Sequence, residues 1–118
     1  MKWTVEYYMD AAGHEPAADF LDSLPMEVQA KILRLLDLLA DYGVLLRDPY
    51  TRQIKGKLRE LRVTVRLGEV RILYFAFTNK RLILLHGFVK KTKKTPVREI
   101  EIAERRLNDF VRREGGET

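Results

Sequence analysis

The chain contains no cysteine and only two histidines, His14 and His86. The lack of cysteine excludes a disulfide framework, thiolate zinc sites and cysteine-based catalysis, and it fits a cytoplasmic protein. Two histidines are too few for a histidine-rich metal site, and we expect neither a metal nor another cofactor. Because no apolar run approaches about 18 residues and the first residues lack an apolar core, we expect no membrane span and no signal peptide.

Basic residues are concentrated in the middle of the chain. From Arg47 to Arg98 there are 15 Lys or Arg and three acids, a local net charge of +12. The segment before it has a net charge of −5 and the segment after it −2. The same middle segment contains the most strand-like patterns. A basic sheet in a small protein favours a polyanionic partner, most often RNA or DNA.

The first half of the chain predicts one strand and two helices. Alternating apolar and polar residues over 3–8 are typical of a strand. Pro16 opens a short helix and Pro25 opens a longer amphipathic one, which Gly43 ends. Residues 44–57 are predicted to form a loop.

The second half predicts a meander of three strands and a last helix. The predicted features are a strand over 58–66, a turn at Gly68 and Glu69, a strand over 70–78, a turn at Asn79 and Lys80, a strand over 81–90, and a helix with Thr95 as N-cap and Pro96 as its first residue. A chain of 118 residues is of single-domain size. We therefore predict a compact α+β domain of order β-α-α-β-β-β-α, with an antiparallel meander sheet and helices packed against it.

The first predicted turn brings two arginines together. With Gly68 and Glu69 as turn residues, Arg66 pairs with Arg71 across the hairpin. Like charges directly opposite each other destabilise a sheet unless they splay into water or hold an anion between them. The pairing therefore favours an anion site at this position.

The second predicted turn pairs Leu73 with His86 and Arg71 with Phe88, and the two turns together define the faces of the sheet. One predicted face presents Arg62, Thr64, Arg66, Arg71, Leu73, His86 and Phe88. The opposite face, predicted to be core, presents Val63, Val65, Val70, Ile72, Tyr74, Ile83, Leu85 and Val89.

Four lysines follow the last predicted strand: Lys90, Lys91, Lys93 and Lys94. Placed before a helix N-terminus, they predict a loop that attracts anions. Other interpretations stay open at this level. The lysines could form an ordinary solvated loop, Arg62 could pair with Glu60 or Glu69, and His86 could be a hydrogen-bonded core residue.

The order of elements and four segments resemble the RelE/ParE toxin superfamily of bacterial toxin–antitoxin systems, in particular its phage-derived, HigB-type branch. The segments are residues 20–25, 57–62, 70–74 and 86–96. The last of them, HGFVKKTKKTP, is the most specific, and the arginine of VRILY, Arg71, comes next. The resemblance covers about residues 2–112 and implies one RelE-like domain over residues 1–118.

The resemblance implies a ribosome-dependent mRNA endonuclease that uses the 2′-hydroxyl of RNA as its nucleophile and needs no metal. Such chemistry requires a base for the 2′-hydroxyl, an acid for the leaving 5′-oxygen, and cations beside the phosphate. The resemblance also implies a cognate antitoxin, commonly of helix-turn-helix type, bound in a hetero-oligomer. The expected partners are thus the antitoxin, mRNA and the ribosome, with no membrane.

The positions that match the family identify candidate residues. Arg71 matches the strand arginine of the family, and Arg62 stands where RelE-type members have a lysine. Thr64 replaces a second lysine, and no tyrosine follows Tyr74, whereas RelE-type members carry one in the last helix. A lysine of lowered pKa, or His86, would then serve in proton transfer. The catalytic candidates are Arg71, Arg66, Arg62, His86, Lys91 and Lys94. The RNA-binding candidates are Lys55, Lys57, Lys90 and Lys93.

Two other functions remain compatible with the sequence. The ParE branch of the same fold inhibits DNA gyrase without cutting RNA. A prophage-derived protein could also retain RNA binding without turnover.

Overall fold

A computed structural model describes residues 2–66, 68–91 and 93–115. Its elements are β1 (Thr4–Tyr7), α1 (Pro16–Asp22), α2 (Met26–Tyr42), a 3₁₀ turn (Gly43–Leu45), β2 (Thr51–Lys55), β3 (Leu58–Val65), β4 (Gly68–Phe77), β5 (Arg81–Lys90) and α3 (Val97–Glu114). The predicted α+β fold and the predicted order of elements are confirmed, with one strand added.

The five strands form one sheet in the order β1-β5-β4-β3-β2. Strands β2 to β5 are an antiparallel meander, and β1 pairs parallel to β5. The added strand is β2, which lies in the segment predicted as a loop. Its sequence, TRQIK, contains one large apolar residue and no alternation, so pairing with β3 decides its conformation.

The hairpin between β3 and β4 differs from the prediction. Val65 pairs with Gly68, and Arg71 lies opposite Arg62 rather than opposite Arg66. Gly68 and Glu69 are strand residues, so the predicted turn at these positions is wrong. The charge of Glu69 favours this arrangement. As a strand residue and not a turn residue, Glu69 lies on the same face of β4 as Arg71, two residues away, and its carboxylate accepts a hydrogen bond from the guanidinium.

Both faces of the sheet carry a core. Helices α1 and α2 cover one face, whose buried strand residues are Leu61, Val63, Val70, Ile72, Tyr74, Leu82 and Leu84. Helix α3 covers part of the other face, whose buried strand residues are Leu58, Leu73, Phe75, Phe77, Ile83, Leu85 and Phe88. The prediction placed the core on the first face, and α3 adds a second core on this one.

An irregularity in β5 explains why two residues lie on the unexpected face. Leu73 pairs with His86, as predicted, but the next residue, Tyr74, pairs with Leu84. The register shift leaves Leu85 without an opposite partner, which is the geometry of a β-bulge. Ile83 and Leu85 consequently face α3, although the regular register places them with the α2 core.

Glycine allows close packing at two points that position the helices. A Cβ on Gly87 would lie 2.3 Å from Cδ2 of Phe20, so the α1 ring packs directly on the β5 backbone. Gly43 ends α2 with a φ of 54°, and a Cβ there would lie 2.1 Å from Nε1 of Trp3. Any side chain at either position would push a helix away from the sheet.

The last helix begins one residue later than predicted. Helix α3 starts at Val97 with Pro96 in the N-cap position, and Thr95 does not cap it. The Thr95 hydroxyl instead donates a hydrogen bond to Oε2 of Glu60, at 2.8 Å. Within residues 2–66, 68–91 and 93–115, none of the helices has the length and apolar character needed to cross a membrane.

Candidate functional site

Side chains from β3, β4 and β5 form three rows on the face of the sheet that α3 partly covers, and several of them are charged. One row is Thr64, Glu69 and Lys90, and the next is Arg62, Arg71 and Phe88. A third row is Glu60, Leu73 and His86. Opposite residues of paired strands share a face, so the three rows place these side chains on the face of the sheet that carries Arg71.

Arg71 is buried between two carboxylates. Its Nη1 donates to Oε1 of Glu60, and its Nη2 donates to Oε1 of Glu69. The side chains of Arg71 and Glu60 are 3% and 1% exposed, whereas that of Glu69 is 37% exposed. A buried guanidinium needs such partners because an unpaired internal charge is costly. Arg71 thus has one buried partner and one that reaches solvent.

The segment after β5 folds back over this pair. The Lys90 ammonium donates to the carbonyl oxygen of Lys93, and the Thr95 hydroxyl donates to Glu60. These two hydrogen bonds tie the segment to the buried charges. The lysine run predicted as an anion-attracting loop therefore begins directly above Arg71.

A groove of about 450 Å³ opens beside the pair. We call it the basic groove; it is lined by Thr64, Val65, Gly68, Glu69, Lys90, Lys91 and Lys93. Lys91 and Lys93 are exposed on its rim. Three lysines face one carboxylate in this groove, so its local charge favours an anion.

Burial and neighbouring charge change the pKa values of two groups in the groove. Burial lowers the pKa of Lys90 below its usual value, and the positive charge of Arg71 lowers it further. The hydrogen bond from Arg71 lowers the pKa of Glu69. Lys90 therefore gives up its proton more readily than a surface lysine, and Glu69 stays ionised.

Arg62 lies at the outer side of the same row and has a different acidic partner. Its Nη1 lies 3.5 Å from Oδ1 of Asp48, whereas one sequence interpretation paired Arg62 with Glu60 or Glu69, and its charge also helps to lower the pKa of Glu69. Its side chain is 25% exposed. Among the described residues, the Nε atoms of both Arg62 and Arg71 are buried without a hydrogen-bond partner.

His86 is held by α3 on the far side of the rows. Nε2 lies 2.6 Å from Oε1 of Glu99, and Nδ1 lies 3.1 Å from Nη1 of Arg106. Its ring also stacks on Phe88. Burial lowers its pKa. This is the packed, hydrogen-bonded environment of the alternative interpretation, and a role of His86 in proton transfer stays a prediction.

The other predicted site residues lie outside this cluster. Lys55 and Lys57 are exposed at the β2–β3 connection, at the opposite end of β3, and Nζ of Lys55 lies 3.2 Å from Glu104. Arg66 is exposed beyond the end of β3 and lines a separate cavity beside α2. Lys94 is exposed in the segment before α3. The predicted pairing of Arg66 with Arg71 is wrong, because Arg62 occupies that position.

Two acidic residues of the site were not predicted as part of it. Glu69 follows from spacing, since it is two residues from Arg71 on the same strand. Glu60 has the same spacing from Arg62, but only the observed register brings it to Arg71. In the described ranges, no three His, Asp or Glu side chains are grouped as metal ligands.

The profile of the protein family described as phage-derived protein Gp49-like matches residues 19–108, which is most of the chain. The chain belongs to this phage-derived Gp49-like family. The matched region contains every strand from β2 to β5 and all residues of the Arg71 cluster. The expectation of a phage-derived family is therefore confirmed.

A solved structure of a RelE toxin shows the fold of this Gp49-like chain. The free state of a double arginine-to-alanine variant of E. coli toxin RelE has a TM-score of 0.55 at 11% identity, with 92% of this chain and 98% of that chain covered. The archaeal RelE–RelB complex from Pyrococcus horikoshii OT3 matches with a TM-score of 0.49 at 23% identity, with 74% and 93% covered. No curated protein matches the sequence. The predicted RelE-like fold is confirmed.

Proposed function

We propose that this protein is the toxin of a type II toxin–antitoxin system and that it arrests translation by cutting mRNA on the ribosome. Three findings support the proposal: membership of the phage-derived Gp49-like family, the fold shared with RelE, and the basic groove beside Arg71. The groove carries the most weight, because its lining brings Glu69, the partner of the buried Arg71, together with exposed lysines.

The groove fits a phosphodiester. In this proposal Lys91 and Lys93 attract the RNA backbone at the rim, and Arg71, whose partner Glu69 lines the groove, binds a phosphate that reaches the sheet. In the proposed reaction the 2′-hydroxyl gives up its proton to solvent as its oxygen attacks the adjacent phosphorus, and the bond to the 5′-oxygen breaks as that oxygen takes up a proton. The negative charge on the phosphoryl oxygens increases in the transition state, and fixed guanidinium and ammonium groups stabilise it. No step in this sequence requires a metal.

Lys90 is our candidate for the acid that protonates the leaving 5′-oxygen. Its ammonium lies at the end of β5, opposite Glu69 and above Arg71, and its lowered pKa makes it a better proton donor. A lysine in this role replaces the tyrosine that the chain does not carry in α3.

We also propose that an antitoxin binds the protein in a hetero-oligomer. The RelE of the archaeal structure is in a complex with RelB, and the present chain shares the RelE fold. A partner that covers the basic groove with acidic side chains would block the mRNA. The sequence alternative of gyrase inhibition predicts DNA damage instead of translation arrest.

The direct test is primer extension on a reporter mRNA in a reconstituted translation reaction. We expect cuts within translated codons, absent without ribosomes. The Lys91→Ala/Lys93→Ala double variant should cut at least about tenfold more slowly, since two phosphate contacts are lost. A matched control, Lys2→Ala/Arg105→Ala, removes two exposed positive charges elsewhere and should cut like the wild type. No cutting by a folded wild-type protein would overturn the proposal.

A further inference from the structure

We propose that Glu69 is a placeholder for the RNA phosphate: its carboxylate occupies Arg71 in the free protein and leaves when the phosphodiester arrives, while Glu60 stays. The inference rests on the proposed function and identifies a residue that controls access to the same site. Glu69 and Glu60 both accept hydrogen bonds from Arg71, and the structure distinguishes them by burial and by their other contacts.

Glu60 is fixed in place. Its side chain is 1% exposed, and its two oxygens accept hydrogen bonds from Arg71 and from Thr95. Displacing it would leave a carboxylate buried and unpaired, which is strongly unfavourable. Glu60 is therefore a positioning residue, which holds the guanidinium through Nη1.

Glu69 can leave. Its side chain is 37% exposed and lines the basic groove, and it is the second residue of β4, next to the hairpin turn. After rotation into the groove its carboxylate would meet water and the exposed lysines Lys91 and Lys93. The carboxylate of Glu69 loses little by such an exchange because it is partly solvated already, and the incoming phosphate takes its place as the anionic partner of the buried guanidinium.

A phosphate fits the vacated position better than the carboxylate. The Nε–H and Nη2–H groups of a guanidinium form one edge, which binds two oxygens of the same anion side by side. Glu69 bonds only to Nη2, and the Nε of Arg71 is buried without a partner among the described residues. Two oxygens of a phosphodiester would satisfy both donors, which Glu69 does not.

The exchange also keeps the charge of the buried cluster constant. With each group ionised, Glu60, Glu69, Arg71 and Lys90 sum to zero. A phosphodiester carries one negative charge, the same as the carboxylate it replaces. Without Glu69 the free protein would hold an excess positive charge close to Arg71 and Lys90, which explains why an RNA-binding site contains an acidic residue at its centre.

The test is the affinity for a short single-stranded RNA with 2′-O-methyl groups at every position, which cannot be cleaved, measured by fluorescence anisotropy. Glu69→Gln should bind about tenfold more tightly than the wild type, since the RNA no longer competes with a carboxylate. The control is Glu114→Gln, which removes a comparably exposed glutamate, 40% against 37%, that also pairs with an arginine, Arg81. Its affinity should change much less.

The gain should depend on the guanidinium. In an Arg71→Lys background, Glu69→Gln should improve binding no more than Glu114→Gln does, because a lysine lacks the side-by-side donors. If Glu69→Gln binds no tighter than the Glu114→Gln control, or binds more weakly, the placeholder role is overturned. The same holds if no variant binds the RNA. The mRNA cleavage reaction decides the proposed function separately, since a wild type that cuts mRNA keeps that function whatever the binding result.

Discussion

Arg62 and Arg71 lie directly opposite each other in the pairing of β3 with β4. Two guanidinium groups at this spacing repel each other, and separate carboxylates hold them apart. Asp48 approaches Arg62 from outside the sheet, whereas Glu60 and Glu69 enclose Arg71 within it. The sheet tolerates this arginine pair because Glu60 and Glu69 neutralise the charge of Arg71 inside the protein. The same contacts determine how the site responds to substitution.

Replacing Arg71 should damage the fold as well as the site. Arg71→Met leaves Glu60 buried and unpaired and should lower the free energy of unfolding by about 3–5 kcal/mol. The Arg71→Met/Glu60→Leu double variant should lose less than the sum of the two single variants, because no buried charge is then left alone. Urea unfolding of the wild type and the three variants measures this coupling. Additive losses would contradict a buried ion pair.

The stability of the protein should fall in mild acid because of His86. Burial lowers its pKa below the ordinary value of 6.5, although the hydrogen bond to Glu99 acts in the opposite direction. As the pH falls through 6.5, the unfolded chain therefore binds a proton before the folded protein does. The free energy of unfolding should be highest above this pH and decrease below it.

The measurement is urea unfolding between pH 7.5 and pH 5 of the wild type and His86→Gln. The decrease in the free energy of unfolding should be smaller in His86→Gln than in the wild type. In His14→Gln, which removes the exposed loop histidine, the decrease should equal that of the wild type. An equal decrease in the wild type and in His86→Gln would refute the assignment.

The basic groove should give RNA binding a steep dependence on salt. Each phosphate contact to a single strand contributes about 0.7 to the slope of log affinity against log salt concentration. Lys91→Ala/Lys93→Ala should therefore reduce the slope by about 1.4, with the loss spread evenly over RNA sequences. The slope of Lys2→Ala/Arg105→Ala should match that of the wild type. Unchanged slopes in both double variants would place the RNA elsewhere.

Gly87→Ala should destabilise the protein by about 1–3 kcal/mol, because the added Cβ would overlap the Phe20 ring. The same substitution in a Phe20→Ala background should cost less, since the ring is absent. Thermal unfolding of the four proteins measures the coupling. If Gly87→Ala destabilised the protein equally in both backgrounds, contact with the Phe20 ring would not be the cause of the destabilisation.

The sequence predicted the faces of the sheet better than the pairing of its residues. Moving the partner of Arg71 from Arg66 to Arg62 shifts the hairpin by four residues, an even number, so side chains keep their faces. Although the turn was predicted at the wrong residues, Val63, Val70 and Ile72 were therefore still assigned correctly to the core. The bulge at Leu85 was beyond such reasoning, since no local pattern marks it.

The basic residues of the candidate site could be predicted from the sequence, whereas its acidic residues could not. The sequence makes Arg71, Arg62 and Lys90 candidates, because basic residues are concentrated between Arg47 and Arg98. Glu60 became a partner of Arg71 only through the register of β3 and β4 and the fold-back of Thr95, both of which are tertiary. Strand β2 was not predicted for a similar reason. Its own sequence does not favour a strand, and its conformation depends on pairing with β3.

The chemistry of the cut tests the central claim most directly. We would place a single 2′-deoxynucleotide at the mapped cleavage position of the reporter mRNA and characterise the ends produced from the unmodified mRNA. The account predicts that the cut at that position disappears, and that the unmodified mRNA yields 5′-hydroxyl ends, which a polynucleotide kinase labels without prior phosphatase. Cutting that persists at the 2′-deoxy position, or 5′-phosphate ends, would contradict attack by the 2′-hydroxyl at Arg71.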